Sequence, residues 1–195
     1  MKPLDNYLVI DFSQFLSGPS ASLRLADLGA RVIKIEKPAT GDICRTLYTS
    51  DLIMNGESSV FHTINRNKES FAIDFKEPDG LQKIKKLIAK ADVVMHNFRP
   101  GVMERVGLSY EEVLKINPKI IYASISGYGN HSDLKKIPGQ DLLLQSMTGL
   151  TWLTGNQEDG PVAMGLSIVD MLAGAHLAQG ILATLYRKSV QNVGA

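Results

Sequence analysis

Short apolar runs alternate with amphipathic helical stretches along most of this 195-residue chain, and that alternation leaves few folds open. Strands followed by helices at this spacing build βαβ units, in which the strands lie parallel and helices cover the sheet. Residues 7–12 read as a first strand. The turn SQFLSG then leads through Pro19, a favoured first helical residue, into a helix ending near Gly29, and residues 31–36 form the second strand. Residues 70–75 alternate as a strand, 78–90 read as an amphipathic helix, and 92–96 return as a strand. Ser109 and Glu112 are spaced as a capping box for a short helix ending before Pro118, and residues 119–126 make another strand. Helices are expected over 139–150 and 167–187. The fold class is therefore α/β, a Rossmann-like open and mostly parallel sheet flanked by helices, with one domain and no repeat or linker.

Composition excludes several classes. Twenty-one basic and twenty acidic residues leave a net charge of +1, so no overall field attracts nucleic acid or an anionic membrane. Cys44 is the one cysteine, which rules out an internal disulfide and fits a reducing cytoplasm. The start, MKPLDNYLVIDF, carries no long apolar core of the secretory type. Residues 168–186 approach bilayer-spanning length, but Asp170, His176 and Gln179 interrupt them, and a buried core helix in a soluble protein is the better reading.

An open parallel sheet binds ligands beyond the carboxyl ends of its strands, which directs attention to loops 13–18, 37–45, 97–101 and 127–141. No G-x-G-x-x-G follows the first strand and there is no P-loop, so the commonest dinucleotide and ATP fingerprints are missing. Lys34, Lys37, Arg45, Arg66, Lys68, Lys76, Arg99 and Arg105 are cations available for phosphate, although solvated surface charge is the ordinary role of most such residues. His62, His96, His131 and His176 lack metal-ligand spacing, and no metal site is expected.

Asp170 stands out as a carboxylate at the start of an otherwise apolar helix. Two readings are open. Ser167 and Asp170 stand three apart like a capping box, with Asp in place of the usual Glu or Gln. Alternatively, Asp170 is a nucleophile or base kept ionised by the helix N-terminus, with Gly174 one turn later leaving room for a ligand.

Several stretches together, DFSQFLSGP, LADLGARVIKIEKPATGD, NRNKESFAIDFK, ADVVMHNFRPGVMERVGLSYEEVLKINPKIIYASISGYG and IPGQDLLLQSMTGL, resemble the family III coenzyme A transferases, also called the CaiB/BaiF family. The resemblance spans Met1 to about Lys188. It implies a Rossmann-like large domain, a CoA thioester and a small carboxylic acid as substrates, no tightly bound cofactor, and a catalytic aspartate at Asp170. It also implies transfer through an aspartyl anhydride and an aspartyl-CoA thioester. CoA contacts are implied at Leu16, Ser17, Lys37, Ile73, Asp74, Phe75, Lys76, Asn97, Phe98, Arg99, Arg105, Pro138, Gly139, Gln140 and Asp141. Of these, Lys37 and Arg105 are the implied phosphate partners.

Family members with Gln at the place of Leu16, and with Lys and Tyr at the places of Pro138 and Gln140, differ from this chain, which leaves the acyl group open. The family also holds 2-methylacyl-CoA racemases with a G-H-D motif. Here that motif reads Gly139, Gln140, Asp141, and a glutamine amide does not titrate near neutrality. Members are about twice this length and form interlocked homodimers, so residues 1–195 are expected to be the N-terminal part of the large domain. A CoA-binding module without turnover is the remaining alternative.

Overall fold

The strands at 8–11, 31–36, 93–96 and 121–124 carry apolar side chains in both parities, which suits strands covered on both faces. The computed structural model describes residues 1–47, 52–129 and 132–195. Its elements run β1 (Leu8–Asp11), α1 (Ser17–Asp27), β2 (Arg31–Glu36), a 3-10 turn (Ile43–Thr46), a hairpin of β3 (Ile53–Met54) and β4 (Glu57–Ser58), and α2 (Ser59–Asn65). After these come β5 (Lys68–Ala72), α3 (Pro78–Ile88), β6 (Val93–His96), α4 (Val102–Arg105), α5 (Tyr110–Ile116) and β7 (Ile121–Ser124). The chain continues through α6 (Asp141–Met147), α7 (Leu150–Leu153) and α8 (Ile168–Gln191).

The main sheet has the order β5-β2-β1-β6-β7, and every pairing in it is parallel. Residues of one parity, including Val9, Val32, Val93 and Ile121, pack under α1 and α8. Ile10, Ile33, Val94 and Ile120 join Ile84, Ile88 and Val113 in the core on the other face, beneath α3 and α5. The two-residue period of a strand thus divides one sequence pattern into two cores.

That period also places polar residues inside. Asp11 follows Val9 on the α1 face, and Lys34 follows Val32. Lys34 Nζ lies 2.7 Å from Asp42 Oδ2 and donates to Ser13 O at 2.7 Å. Lys68 lies 3.6 Å from Asp11 Oδ2 and donates to Pro19 O at 2.9 Å. Asp11 also accepts from the hydroxyls of Ser13 and Ser22. Arg45 forms a two-pronged pair with Glu36, at 2.7 Å for each contact, and lies over the Phe61 ring. Lys34, Lys68 and Arg45 are therefore neither free phosphate ligands nor solvated charges. They are partners in ion pairs, buried at Lys34 and Lys68 and partly buried at Arg45, and an interior charge is far costlier unpaired than paired.

Several sequence expectations need correction. The helix expected over 139–150 breaks into α6 and α7, because Gly149 adopts the left-handed region at φ 79° between them. The strand expected over 70–75 lies earlier, at β5, whose register is fixed by pairing of Val32 with Lys68 through Glu36 with Ala72. The hairpin, α2 and α4 carried no clear periodic signal. α8 is long and apolar enough to cross a membrane by length and composition alone, yet it is no all-round core helix. Its buried stripe is Gly174, Ala178, Ile181 and Leu185, while Met171, Leu172, Tyr186 and Val190 are exposed. Gly174 leaves no room for a ligand. A Cβ there would collide with Ser20 Oγ and lie 2.5 Å from Ser17 O, so the glycine permits α8 to touch α1.

Two outcomes test this packing. Alanine normally stabilises a helix interior over glycine by about 1 kcal/mol, but Gly174→Ala should instead destabilise by about 1–3 kcal/mol through overpacking. Denaturant unfolding decides the sign. Glu36 is driven down from 4.5 to about 2: burial opposes its ionisation, but Arg45, Ser70 and the Asp42 N–H outweigh burial. Its contribution to stability is thus complete above 4.5 and is lost as pH falls toward 2. Glu36→Gln should flatten the acid limb of a stability profile over that interval.

Candidate active site

Adjacent parallel strands whose crossover connections leave in opposite directions open a crevice at their carboxyl ends, and here that point lies between β1 and β6. A cleft of about 460 Å³ occupies it. The loop after β1 supplies Phe15 and Ser17, the loop after β6 supplies Asn97, Phe98 and Arg99, and α8 contributes Asp170. Pro138, Gly139, Gln140 and Asp141 close the far side. Gly127 and Gly139 make that wall possible, since a Cβ on Gly139 would lie 2.5 Å from Gly127 Cα.

The first loop is held from beneath. Asn97 Oδ1 accepts the Gln14 N–H at 2.8 Å, and its Nδ2 donates to Gln14 O at 2.6 Å and to Ser17 Oγ at 3.3 Å. The Asn97 amide is thus committed to protein. Asp42, paired with Lys34, accepts the Phe15 N–H at 3.3 Å. Phe15 sits at φ 61°, a left-handed conformation unfavourable for an aromatic residue, and this anchoring holds it there.

Asp170 is half-buried, and its own N–H donates to Asp141 Oδ1 at 2.8 Å. The Ser167 side chain makes no cap bond, so the capping box read from the sequence does not form. Asp141 caps α8 from 29 residues away. Burial raises the Asp170 carboxyl above its ordinary value, the Asp141 carboxylate raises it further, and the Ser17 hydroxyl acts in the opposite sense. The helix N-terminus alone had suggested a carboxylate held strongly ionised. Burial and a like charge reverse that direction.

The other expected contacts lie elsewhere along the same sheet edge. Leu16 turns into the small apolar cluster of Cys44, Phe61 and Ile64. Ile73 is buried in the core, and Phe75 meets Phe12 edge-on with ring centroids 5.3 Å apart. Asp74 Oδ1 accepts the Lys76 N–H at 3.0 Å in the turn before α3. Lys37 lines a separate cleft of about 410 Å³ beside Arg45. Arg105 is exposed at the end of α4, and neither of the two expected phosphate partners lines the Asp170 cleft. Those expected residues that do not line the Asp170 cleft stand just beyond β1, β2 and β5, or on the short helix following β6.

His96 and Cys44 are structural in character. His96 is pushed down to about 4 by burial, against the opposing influence of Glu104, and its Nδ1 accepts the Phe98 N–H at 3.3 Å. Burial and Asp42 push the Cys44 thiol up to about 11, which leaves it a poor nucleophile. His176 contacts Gln179 at 3.2 Å, away from the cleft, and His131 lies outside the described residues. Sequence reasoning missed Gln145, which is 2% exposed on α6 and contacts Asp141. A lone glutamine in an apolar helix was its only trace.

This arrangement defines an α/β domain with a cleft at the switch point of its sheet and a pair of carboxylates within it. The chain belongs to CoA-transferase family III, whose family model matches residues 4–195. It is 41% identical over 196 residues to an acetyl-CoA:oxalate CoA-transferase of Acetobacter aceti, covering 99% of this chain and 49% of that protein. It is 39% identical over 188 residues to a succinyl-CoA:glutarate CoA-transferase of Mus musculus, covering 96% and 43%. A CaiB/BaiF family protein from Brucella suis superposes with a TM-score of 0.94 at 35% identity, covering all of this chain and 52% of the other. The chain spans about half the length of the curated relatives it matches.

Replacing Asp141 with Asn removes the like charge that raises Asp170. Carbon-13 NMR of the side-chain carboxyl should then show Asp170 titrating at lower pH than in the parent protein. An unchanged or higher midpoint would mean that Asp141 does not set the ionisation of Asp170.

Proposed function

We propose that the protein containing this chain is an acyl-CoA:carboxylate CoA transferase, with Asp170 as its nucleophile and this chain as the N-terminal part of its large domain. The observation that carries this reading is the placement of Asp170 at the switch-point cleft, with its backbone held by Asp141. The two relatives named above exchange CoA between carboxylic acids, which supports the same class of reaction here.

An Asp170 oxygen attacks the thioester carbonyl, the C–S bond breaks, and CoA leaves as the thiolate, giving a mixed anhydride. The thiolate then attacks the aspartyl carbonyl, which releases the donor carboxylate and leaves an aspartyl-CoA thioester. The acceptor carboxylate attacks that thioester and expels the thiolate again. Thiolate attack on the acceptor acyl carbon completes the exchange and regenerates the Asp170 carboxylate. No proton is gained or lost overall. Asp170 must be ionised for the first step, so a raised pKa costs activity toward acid pH while making the group a stronger nucleophile once ionised.

CoA extends in this reading from Asp170 along the strand ends, with Lys37 and Arg105 on its phosphates and residues 73–76 and 97–99 along its length. Gln140 lines the cleft where a racemase of this family would need a titrating histidine, which favours transfer over racemisation. Leu142, Leu143, Met147, Trp152 and Leu153 are exposed on α6 and α7, and in this reading a homodimer or the rest of the protein covers them. The buried, unpaired Cys44 thiol supports a cytoplasmic site of action. α8, whose buried stripe packs on α1, is read as a helix of a soluble protein without a membrane partner.

Asp170→Ala in the complete protein should reduce exchange by more than about a hundredfold. Hydroxylamine added during turnover should convert Asp170 to a hydroxamate detectable by mass spectrometry. Retention of activity by the variant, or label confined to another residue, would assign the chemistry elsewhere.

A further inference from the structure

Gln145 is a buried amide whose donor and acceptor ends both lead toward Asp170. Its Oε1 accepts the Met164 N–H at 3.0 Å. Its Nε2 donates to Asp141 Oδ2 at 2.5 Å and approaches Leu166 O at 3.3 Å. The opposite oxygen, Asp141 Oδ1, accepts the Asp170 N–H at 2.8 Å. Three segments are tied at this point: α6, the strand-free stretch leading into α8, and the first turn of α8 itself. We propose that Gln145 is a positioning residue for Asp170, fixing the rotation of the Asp141 carboxylate and the path of residues 164–166. The inference rests on the proposed role of Asp170 as nucleophile.

The residue type follows from the bonding. One side chain must accept from a backbone N–H and donate to a carboxylate, which an amide does and a carboxylate does not. Leucine or methionine would fill the space and leave the Met164 N–H without its side-chain acceptor. Glutamate would keep that acceptor but turn a second negative charge toward Asp141. Without the Nε2 donor, Asp141 is free to rotate away from the Asp170 amide, and the first turn of α8 loses its tertiary cap. A shift of about 1 Å in a reacting group is enough to cost about a hundredfold in rate. Bound CoA, held along other strand ends, is not displaced by such a shift, so the loss belongs in kcat.

The test uses the complete protein and four variants: Gln145→Glu, Gln145→Met, Asp141→Asn, and the double exchange Asp141→Asn with Gln145→Glu. Gln145→Glu and Asp141→Asn should each lower kcat at least about tenfold, while in Gln145→Glu KM for the acyl-CoA donor stays within about threefold. The double exchange reverses the polarity of the bond. The amide introduced at position 141 then donates to the carboxylate introduced at position 145, while the amide oxygen at position 141 still accepts from the Asp170 N–H. It should recover at least about fivefold in kcat over either single variant, a coupling that a merely structural glutamine would not show. Circular dichroism and thermal melting check folding. If Gln145→Glu does not fold, Gln145→Met, which keeps the volume, carries the same kcat test. Wild-type kcat in the Gln145 variants, or a double exchange no better than the worse single variant, overturns the proposal. Asp170→Ala assayed in parallel separates this result from the reading beneath it. An active Asp170→Ala protein refutes the nucleophile itself, whereas an inactive one beside fully active Gln145 variants refutes only the positioning role.

Discussion

The close approach of α1 to α8 is the contact on which the rest of the site depends. Both helices cover the same face of the sheet, and Gly174 lets their backbones meet where any side chain would strike Ser17 or Ser20. This contact fixes the start of α8 relative to the first loop, and it brings Ser17 beside Asp170. A carboxylate thus emerges at the switch point of the sheet between a small residue of one helix and the cap of another. Bulkier packing would push the start of α8 away from α1.

The first loop also needs support from below, because Phe15 occupies a backbone conformation that an isolated loop would abandon. That support is ionic and buried. Lys34 binds Asp42 and the Ser13 carbonyl, Lys68 reaches Asp11 and the Pro19 carbonyl, and Asn97 spans the crevice to Gln14. Removal of one partner would leave an uncompensated charge in the interior, so the network acts as a unit. It occupies the carboxyl ends of β1 and β2, beneath the loop that lines the Asp170 cleft, and so stiffens that wall of the candidate site.

Much of this architecture was legible in the sequence. The two-residue and 3.6-residue periods marked β1, β2, α3, β6 and α5 closely, and the motifs of the family marked Asp170 and the loops around it. The failures have physical causes. α6 and α7 were read as one helix because Gly149 counts as only a mild penalty in a helix pattern, whereas its positive φ ends the first helix outright. Lys34 and Lys68 looked like surface cations because burial of a lysine depends on partners far along the chain. Gly174 looked like space for a ligand because nothing local reveals that a neighbouring helix fills it.

The sequence by itself determined the parallel α/β class, the edge of the sheet where the cleft opens, and the residue that stands at the start of the apolar helix. Those properties follow from short-range periodicity and from strand–helix order. Only the tertiary structure decided what Asp170 experiences there. Its cap comes from Asp141 rather than Ser167, its carboxyl is raised rather than lowered, and Gln145 holds the partner in place. Charge interactions and burial act through space, across 29 residues of chain in the case of the cap, and a linear pattern carries no record of such distances.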